Sequence, residues 1–121
     1  MALLWFSPRF AFQGYTKVCI KIRRVWNAIL FEIVPMTSSP SEKSEFIIDT
    51  DVLTKACLMA VSLGADIIKT NYSNEPKTFK KVTSACPVSV TILSGEHVSD
   101  EECLKRIRGA MDGGASGGAF R

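Results

Sequence analysis

Lys69 is the residue of this chain best placed by type and position to do chemistry. It stands in Ala65-Asp-Ile-Ile-Lys-Thr70, a short run that reads as a β-strand. Buried strands of α/β proteins are mostly continuous apolar runs, so a cation near the carboxyl end of one is unusual. In parallel α/β folds that end of the strand faces the active site. An amine that loses hydration there has a lowered pKa and can attack a carbonyl carbon. Period-two alternation puts Lys69 on the same face as Ala65 and Ile67, with Ile68 on the other. Taken by itself, the same spacing fits a lysine that only ends a strand and reaches solvent.

The other reactive side chains assemble into less. Cysteines stand at 19, 57, 86 and 103 and the single histidine at 97. No two cysteines are close enough for a Cys-x-x-Cys motif, and one histidine cannot complete a zinc set in sequence, so no metal and no cofactor are expected. Cys57 and Cys103 fall on the apolar faces of predicted helices, which reads as buried thiols in a reducing, cytoplasmic setting. No apolar run reaches the ~18–20 residues that cross a bilayer, so no membrane partner is expected. The formal charge of +3 is too small to imply nucleic acid, and no DNA- or RNA-binding motif accompanies it. Lys77, Lys80 and Lys81 read as a solvated helix face.

The elements that must position Lys69 follow from residue 31 onward. Phe31–Met36 is a short apolar run of strand type, and Thr37–Ser44 is rich in turn residues. Asp49 or Thr50 can cap a helix with Leu53, Ala56, Cys57, Ala60 and Val61 on one face, ended by Gly64. After the Lys69 strand, Asn74-Glu-Pro-Lys77 opens a second helix with Pro76 in its first turn and Phe79, Val82 and Thr83 inward. Pro87 closes it, Val88–Leu93 is the next strand, and Ser94-Gly95 a tight turn. Ser99-Asp-Glu-Glu102 is a capping box. It starts a third helix whose predicted buried stripe is Cys103, Leu104, Ile107, Ala110 and Met111, ended by Gly113-Gly114. Ala115–Phe120 is a last, glycine-rich strand.

The order from about Phe31 to Phe120 alternates strand and helix with short connections. Alternation of that kind implies a parallel sheet. The fold class expected is α/β, with about four strands and three intervening helices. Part of a (β/α)₈ barrel and a small doubly wound sheet both satisfy it. Four units are about half of the ~250 residues that a whole barrel takes.

Residues 1–30 read differently. Through residue 31 there are five basic residues, Arg9, Lys17, Lys21, Arg23 and Arg24, and no acid; every acid lies from Glu32 onward. A boundary near position 30 follows, with 1–30 as a basic, aromatic leader of unknown structure and 31–121 as the α/β unit. Over Thr16–Leu30 the spacing of Val18, Ile22, Val25 and Ile29 allows a helix with one apolar face, but a non-homologous or poorly ordered leader is the preferred reading.

Leu63-Gly-Ala-Asp-Ile-Ile-Lys-Thr70, Asn74-Glu-Pro-Lys-Thr-Phe79, Cys86-Pro-Val, Ser94-Gly95 and Gly113-Gly-Ala-Ser-Gly117 occur in this order and spacing. Together they resemble the DhnA-type class I aldolases, the family of archaeal-type fructose-bisphosphate aldolase, over roughly the last 70 residues. The resemblance implies a (β/α)₈ barrel in which Lys69 forms a Schiff base with the carbonyl of a phosphorylated sugar. It implies a phosphate site at Ser94, Gly95 and Arg121, in the loops after the last two strands. Three departures accompany it. Glu96 stands where the family has a second glycine, and its charge opposes a phosphate. The glycine before the family's arginine is missing. Pro35-Met-Thr-Ser-Ser-Pro40 carries no tyrosine where the family has a proton-transfer tyrosine. The alternative reading is a non-catalytic, aldolase-like half-barrel acting as an association or binding module. Its two sheet edges would favour association with a second copy.

Overall fold

In the computed structural model the residues described are 2–6, 16–37, 45–93 and 98–119. The elements run β1 (Ala2–Phe6), β2 (Thr16–Val25), β3 (Ala28–Thr37), α1 (Thr50–Ser62), β4 (Ile67–Thr70), α2 (Pro76–Ala85), β5 (Ser89–Leu93), α3 (Asp100–Asp112) and β6 (Gly117–Ala119). Among the described residues these strands form one sheet in the order β1-β2-β3-β4-β5-β6. From β3 to β6 every pairing is parallel, with α1, α2 and α3 as the crossovers. The α/β architecture with four parallel strands and three helices is therefore the one expected.

Over Thr16–Leu30 neither the helix that the spacing allows nor the poorly ordered leader is found. That segment is an antiparallel hairpin, with β2 paired to β3 from Thr16↔Thr37 to Val25↔Ala28. Two periodicities competed for the same residues. Val18, Ile22, Val25 and Ile29 fit a helix, but Val18, Ile20 and Ile22 also alternate with Lys17, Cys19, Lys21 and Arg23. β-Branched side chains fit a pleated, half-buried surface, and here the strand period wins. Val18 and Ile20 are buried in the core and Ile22 packs against it. The hairpin turns at Trp26-Asn27, where Trp26 sits at φ +57 with its ring 92% exposed. Position 30 lies within β3.

Each helix begins and ends for a legible reason. The Asp49 carboxylate accepts from the amides of Asp51 and Val52 at 3.0 and 3.1 Å, which satisfies two first-turn donors of α1. Gly64, at φ +101, takes the chain out of α1 in a conformation that glycine adopts without strain. Pro76 is the first residue of α2. The Ser99 hydroxyl accepts from the Glu102 amide at 3.2 Å, and three acids occupy the first turn of α3.

The core lies between the sheet and the helices. Phe31, Ile33, Ile68, Val90 and Ile92 come from the sheet; Leu53, Ala56, Cys57, Ala60, Phe79, Val82 and Ala110 come from the helices. Burying a side chain such as Leu53 or Phe79 contributes roughly 1.5–3 kcal/mol. The third helix departs from expectation. Of its predicted stripe only Ala110 is fully buried, while Leu104 and Met111 are 67% and 54% exposed. The cause is position: α3 packs mainly on α2 and on β6, a three-residue strand at the sheet edge. Too little surface is available there to cover the whole stripe.

Candidate functional site

Alternation along β4 divides its side chains between two environments. Ile68 and Thr70 are buried toward the helices, while Ile67 and Lys69 project from the other face. The Thr70 hydroxyl donates to the Ile33 carbonyl at 2.7 Å, which secures β4 against β3 inside the core. Lys69 is thus held by a strand whose opposite side is fixed in place. Its side chain is 19% exposed.

Strand register then decides what stands beside it. Glu32 on β3 is the direct partner of Lys69, Lys69 is the partner of Thr91 on β5, and Thr91 of Gly117 on β6. The four positions form one row across the parallel sheet, and Lys21 on β2 extends it by its pairing with Glu32. Lys69 Nζ lies 3.9 Å from Glu32 Oε2, and the Glu32 side chain is 26% exposed. That separation is longer than a hydrogen bond, so the contact is Coulombic. For a partly exposed pair without a hydrogen bond the net stabilisation is about 1 kcal/mol or less. An amine and a carboxylate side by side on a partly sheltered sheet face can exchange a proton, and the amine can attack a carbonyl.

Just beyond the strand, Asn71 fastens the carboxyl ends of the elements together. Its Nδ2 donates to the carbonyls of Pro35 and Ile47 at 3.3 and 3.1 Å. The segment around Phe46 in turn folds back on β3: the Thr37 amide donates to Glu45 O, and the Ile47 amide to Pro35 O. Asn71 Oδ1 is buried and accepts no hydrogen bond. The Asn71 residue also lines a cavity of about 350 Å³, together with Phe46, Tyr72, Leu93 and Arg106. Lys69 does not line this cavity.

Tyr72 is engaged with the helix layer. It packs edge-on against Phe79, with ring centroids 5.3 Å apart, and its hydroxyl lies against the Cα of Gly109 on α3. Burial, reinforced by the charges of Asp112 and Glu75, pushes its pKa up. Cys57 is likewise inert: burial, with Cys86 nearby, pushes its thiol up to about 12. Among the described residues no three His, Cys, Asp or Glu side chains group to hold a metal. No helix among them is long and apolar enough to cross a membrane. Ser94, Gly95 and Arg121, expected at a phosphate site, lie outside the described residues, as do Glu96 and His97.

Sequence reasoning missed Glu32. The available signal was a lone acid inside the apolar run Ala28–Val34, a position where a carboxylate needs a partner.

The family model described as DeoC/LacD family aldolase matches residues 27–120. The chain belongs to the DeoC/LacD aldolase family. Within that family it is 42% identical over 69 residues to 2-amino-3,7-dideoxy-D-threo-hept-6-ulosonate synthase of Halobacterium salinarum, covering 57% of this chain and 26% of that protein. It is 32% identical over 84 residues to 3-hydroxy-5-phosphonooxypentane-2,4-dione thiolase of an Enterobacter species, covering 69% of this chain and 28% of that protein. A solved structure of the Schiff-base-forming fructose-1,6-bisphosphate aldolase superposes with a TM-score of 0.64 at 27% identity, over 75% of this chain and 36% of that one. This DeoC/LacD family chain thus spans about a quarter to a third of the length of the relatives it matches. The DhnA-type resemblance and the partial-barrel α/β fold both stand.

Proposed function

We propose that Lys69 is the nucleophile of a class I aldolase-type reaction, forming a Schiff base with the carbonyl of a phosphorylated sugar. The observation that carries this reading is the place of Lys69. Its amine stands near the carboxyl end of a parallel strand, on the face away from the helices, and is neither buried nor free in solvent. The similarity to a Schiff-base-forming fructose-1,6-bisphosphate aldolase supports the same chemistry. Attack of the amine on a ketone carbon, followed by loss of water, gives a protonated imine. That imine withdraws electrons and lets the neighbouring carbon–carbon bond break or form.

Ser94, Gly95 and Arg121 are proposed to hold the phosphate, on the strength of the sequence resemblance. A place in carbohydrate metabolism and a cytoplasmic setting belong to the same reading; the buried thiols Cys57 and Cys86 suit a reducing compartment. Residues 31–121 are proposed as the aldolase-like unit, with the basic, aromatic leader at 1–30 joined to it through the β2–β3 pairing.

A second reading rests on the open sheet. Among the described residues β1 and β6 each pair on one side only, and Leu104 and Met111 stand exposed beside β6. A non-catalytic half-barrel that associates with a second copy would use those edges. Borohydride reduction in the presence of dihydroxyacetone phosphate separates the two. The enzymatic reading predicts a stable adduct on the peptide that contains Lys69, absent from Lys69→Ala. The association reading predicts no adduct from folded protein.

A further inference from the structure

We infer that the tip of the β2–β3 hairpin is a binding surface for single-stranded nucleic acid, with Trp26 as a stacking platform and Arg23 and Arg24 as phosphate contacts. These three residues precede the stretch matched by the family model, residues 27–120, so the surface is something this chain adds to that unit. The pairing of Val25 with Ala28 leaves a two-residue turn at Trp26-Asn27, and Arg23, Arg24, Trp26 and Asn27 are all exposed. No acid precedes Glu32 in the sequence, so the charges of the tip itself are positive.

Folding alone does not account for Trp26. Its ring is 92% exposed, and its backbone sits at φ +57. Two-residue hairpin turns fill such a position with glycine, asparagine or aspartate, because a bulky side chain is strained there. In return the ring is carried off the end of the ribbon, clear of the core. Arg24 fixes the turn: its Nε donates to the Trp26 carbonyl at 3.3 Å, and the terminal nitrogens of the same guanidinium are further donors. Alternation puts Arg23 and Arg24 on opposite faces of the ribbon, so a cation flanks the ring on each side. The Asp66 carboxylate accepts from the Ile29 amide at 2.8 Å, which commits it to joining β3 to the segment before β4.

A pair of guanidinium groups beside one open π face fits a polyanion whose bases are unstacked. Arginine meets phosphate with paired hydrogen bonds, and any base can lie on the indole whatever its identity. A duplex keeps its bases stacked inside and offers the ring nothing. A bilayer surface fits less well, since even a single buried acyl chain binds only marginally. The tip offers one ring, with Ile29 only 38% exposed beside it. The whole-chain charge of +3 conceals the surface, because the acids from Glu32 onward offset the cations of the hairpin. The tip is also remote from Lys69. Ala28 opens β3 at the amino end of the parallel strands, and Glu32, in register with Lys69, lies about 13 Å further along at the rise of a strand. The inference therefore stands apart from the Lys69 reading.

The test titrates the full chain into short fluorescein-labelled oligothymidylate and oligouridylate, following anisotropy and tryptophan emission over a range of salt. Wild type is expected to bind with a dissociation constant of about 10⁻⁴–10⁻⁶ M at physiological salt. The tighter of the two oligomers assigns the partner to DNA or RNA. Trp26→Gly suits the backbone of the turn and keeps the fold; it is expected to weaken binding about 5-fold or more, the share of one base–aromatic stack. Trp26→Phe keeps a π face and falls between. Trp5 is the other tryptophan, so quenching present in wild type and lost in Trp26→Gly reports the ring at the tip. Replacing Arg23 and Arg24 together by glutamine should reduce the slope of log K against log salt by about 1.4. No binding by wild type at low salt, or wild-type affinity in both Trp26→Gly and the arginine variant, overturns the proposal. Binding to phosphatidylserine vesicles with none to either oligomer also overturns it and makes the tip a membrane contact.

Discussion

Glu32 and Lys69 are register partners on adjacent parallel strands, and their charged atoms meet 3.9 Å apart on the sheet face opposite the helices. Neither side chain reaches the other because of its neighbours in sequence. The crossover through α1 brings the two strands together, and alternation sends both side chains to one side.

Asn71 is the joint between β4, β3 and the segment that leads into α1. Asn71→Ala removes both donors and leaves the Pro35 and Ile47 carbonyls without that partner. A loss of about 1–3 kcal/mol is expected, read as a lower urea midpoint with an unchanged slope. Because the joint sits two residues from Lys69, a fall in Lys69 adduct formation should accompany it.

Gly109 and Tyr72 make a testable couple. A Cβ at position 109 would collide with the Tyr72 hydroxyl, so Gly109→Ala should destabilise by roughly 1–3 kcal/mol despite the better helix propensity of alanine. Removing the hydroxyl should recover part of that loss. Thermal unfolding of Gly109→Ala, Tyr72→Phe and the double variant is expected to show a non-additive gain in the double.

Alkaline pH should weaken the fold through two groups. Burial pushes the Cys57 thiol from 9.0 up to about 12, so the native state keeps its proton where the unfolded chain gives it up. That contribution is intact below pH 9 and disappears as pH climbs toward 12. Tyr72 acts in the same sense above its ordinary value of about 10. Cys57→Ala should flatten the alkaline fall in stability, even though the cavity lowers stability at neutral pH. Mass mapping at pH 8 with a thiol reagent should find Cys57 unmodified in the native protein and modified in urea.

Asp49→Ala removes the acceptor for two amides at the start of α1. A cost of ~1 kcal/mol is expected, and Asp49→Asn should retain most of the cap. Far-UV circular dichroism during urea unfolding checks both.

Much of this framework is legible in the sequence because local chemistry dictates it. Asp49, Gly64, Pro76 and Ser99 mark helix ends through needs that each meets within one turn. Strand alternation around Lys69 suffices to put Ile68 in the core and the amine on the other face. The hairpin is not legible, since Val18 and Ile22 satisfy both periods and Trp26 is no turn signal at φ +57. The exposure of Leu104 and Met111 is hidden too: an apolar stripe records what a helix could bury, and the sheet edge limits what α3 does bury. The partner of Lys69 is hidden for a third reason. Parallel strands are joined by a long crossover, so their lateral register is a property of the packed unit and not of any local stretch.

The most direct test of the central claim is the site and stoichiometry of the borohydride-stabilised adduct with dihydroxyacetone phosphate. A Schiff-base lysine at position 69 predicts one reduced substrate per chain, on the Lys69 peptide, and none in Lys69→Ala with circular dichroism unchanged. Folded wild-type protein that yields no adduct, or the same adduct in Lys69→Ala, would contradict it.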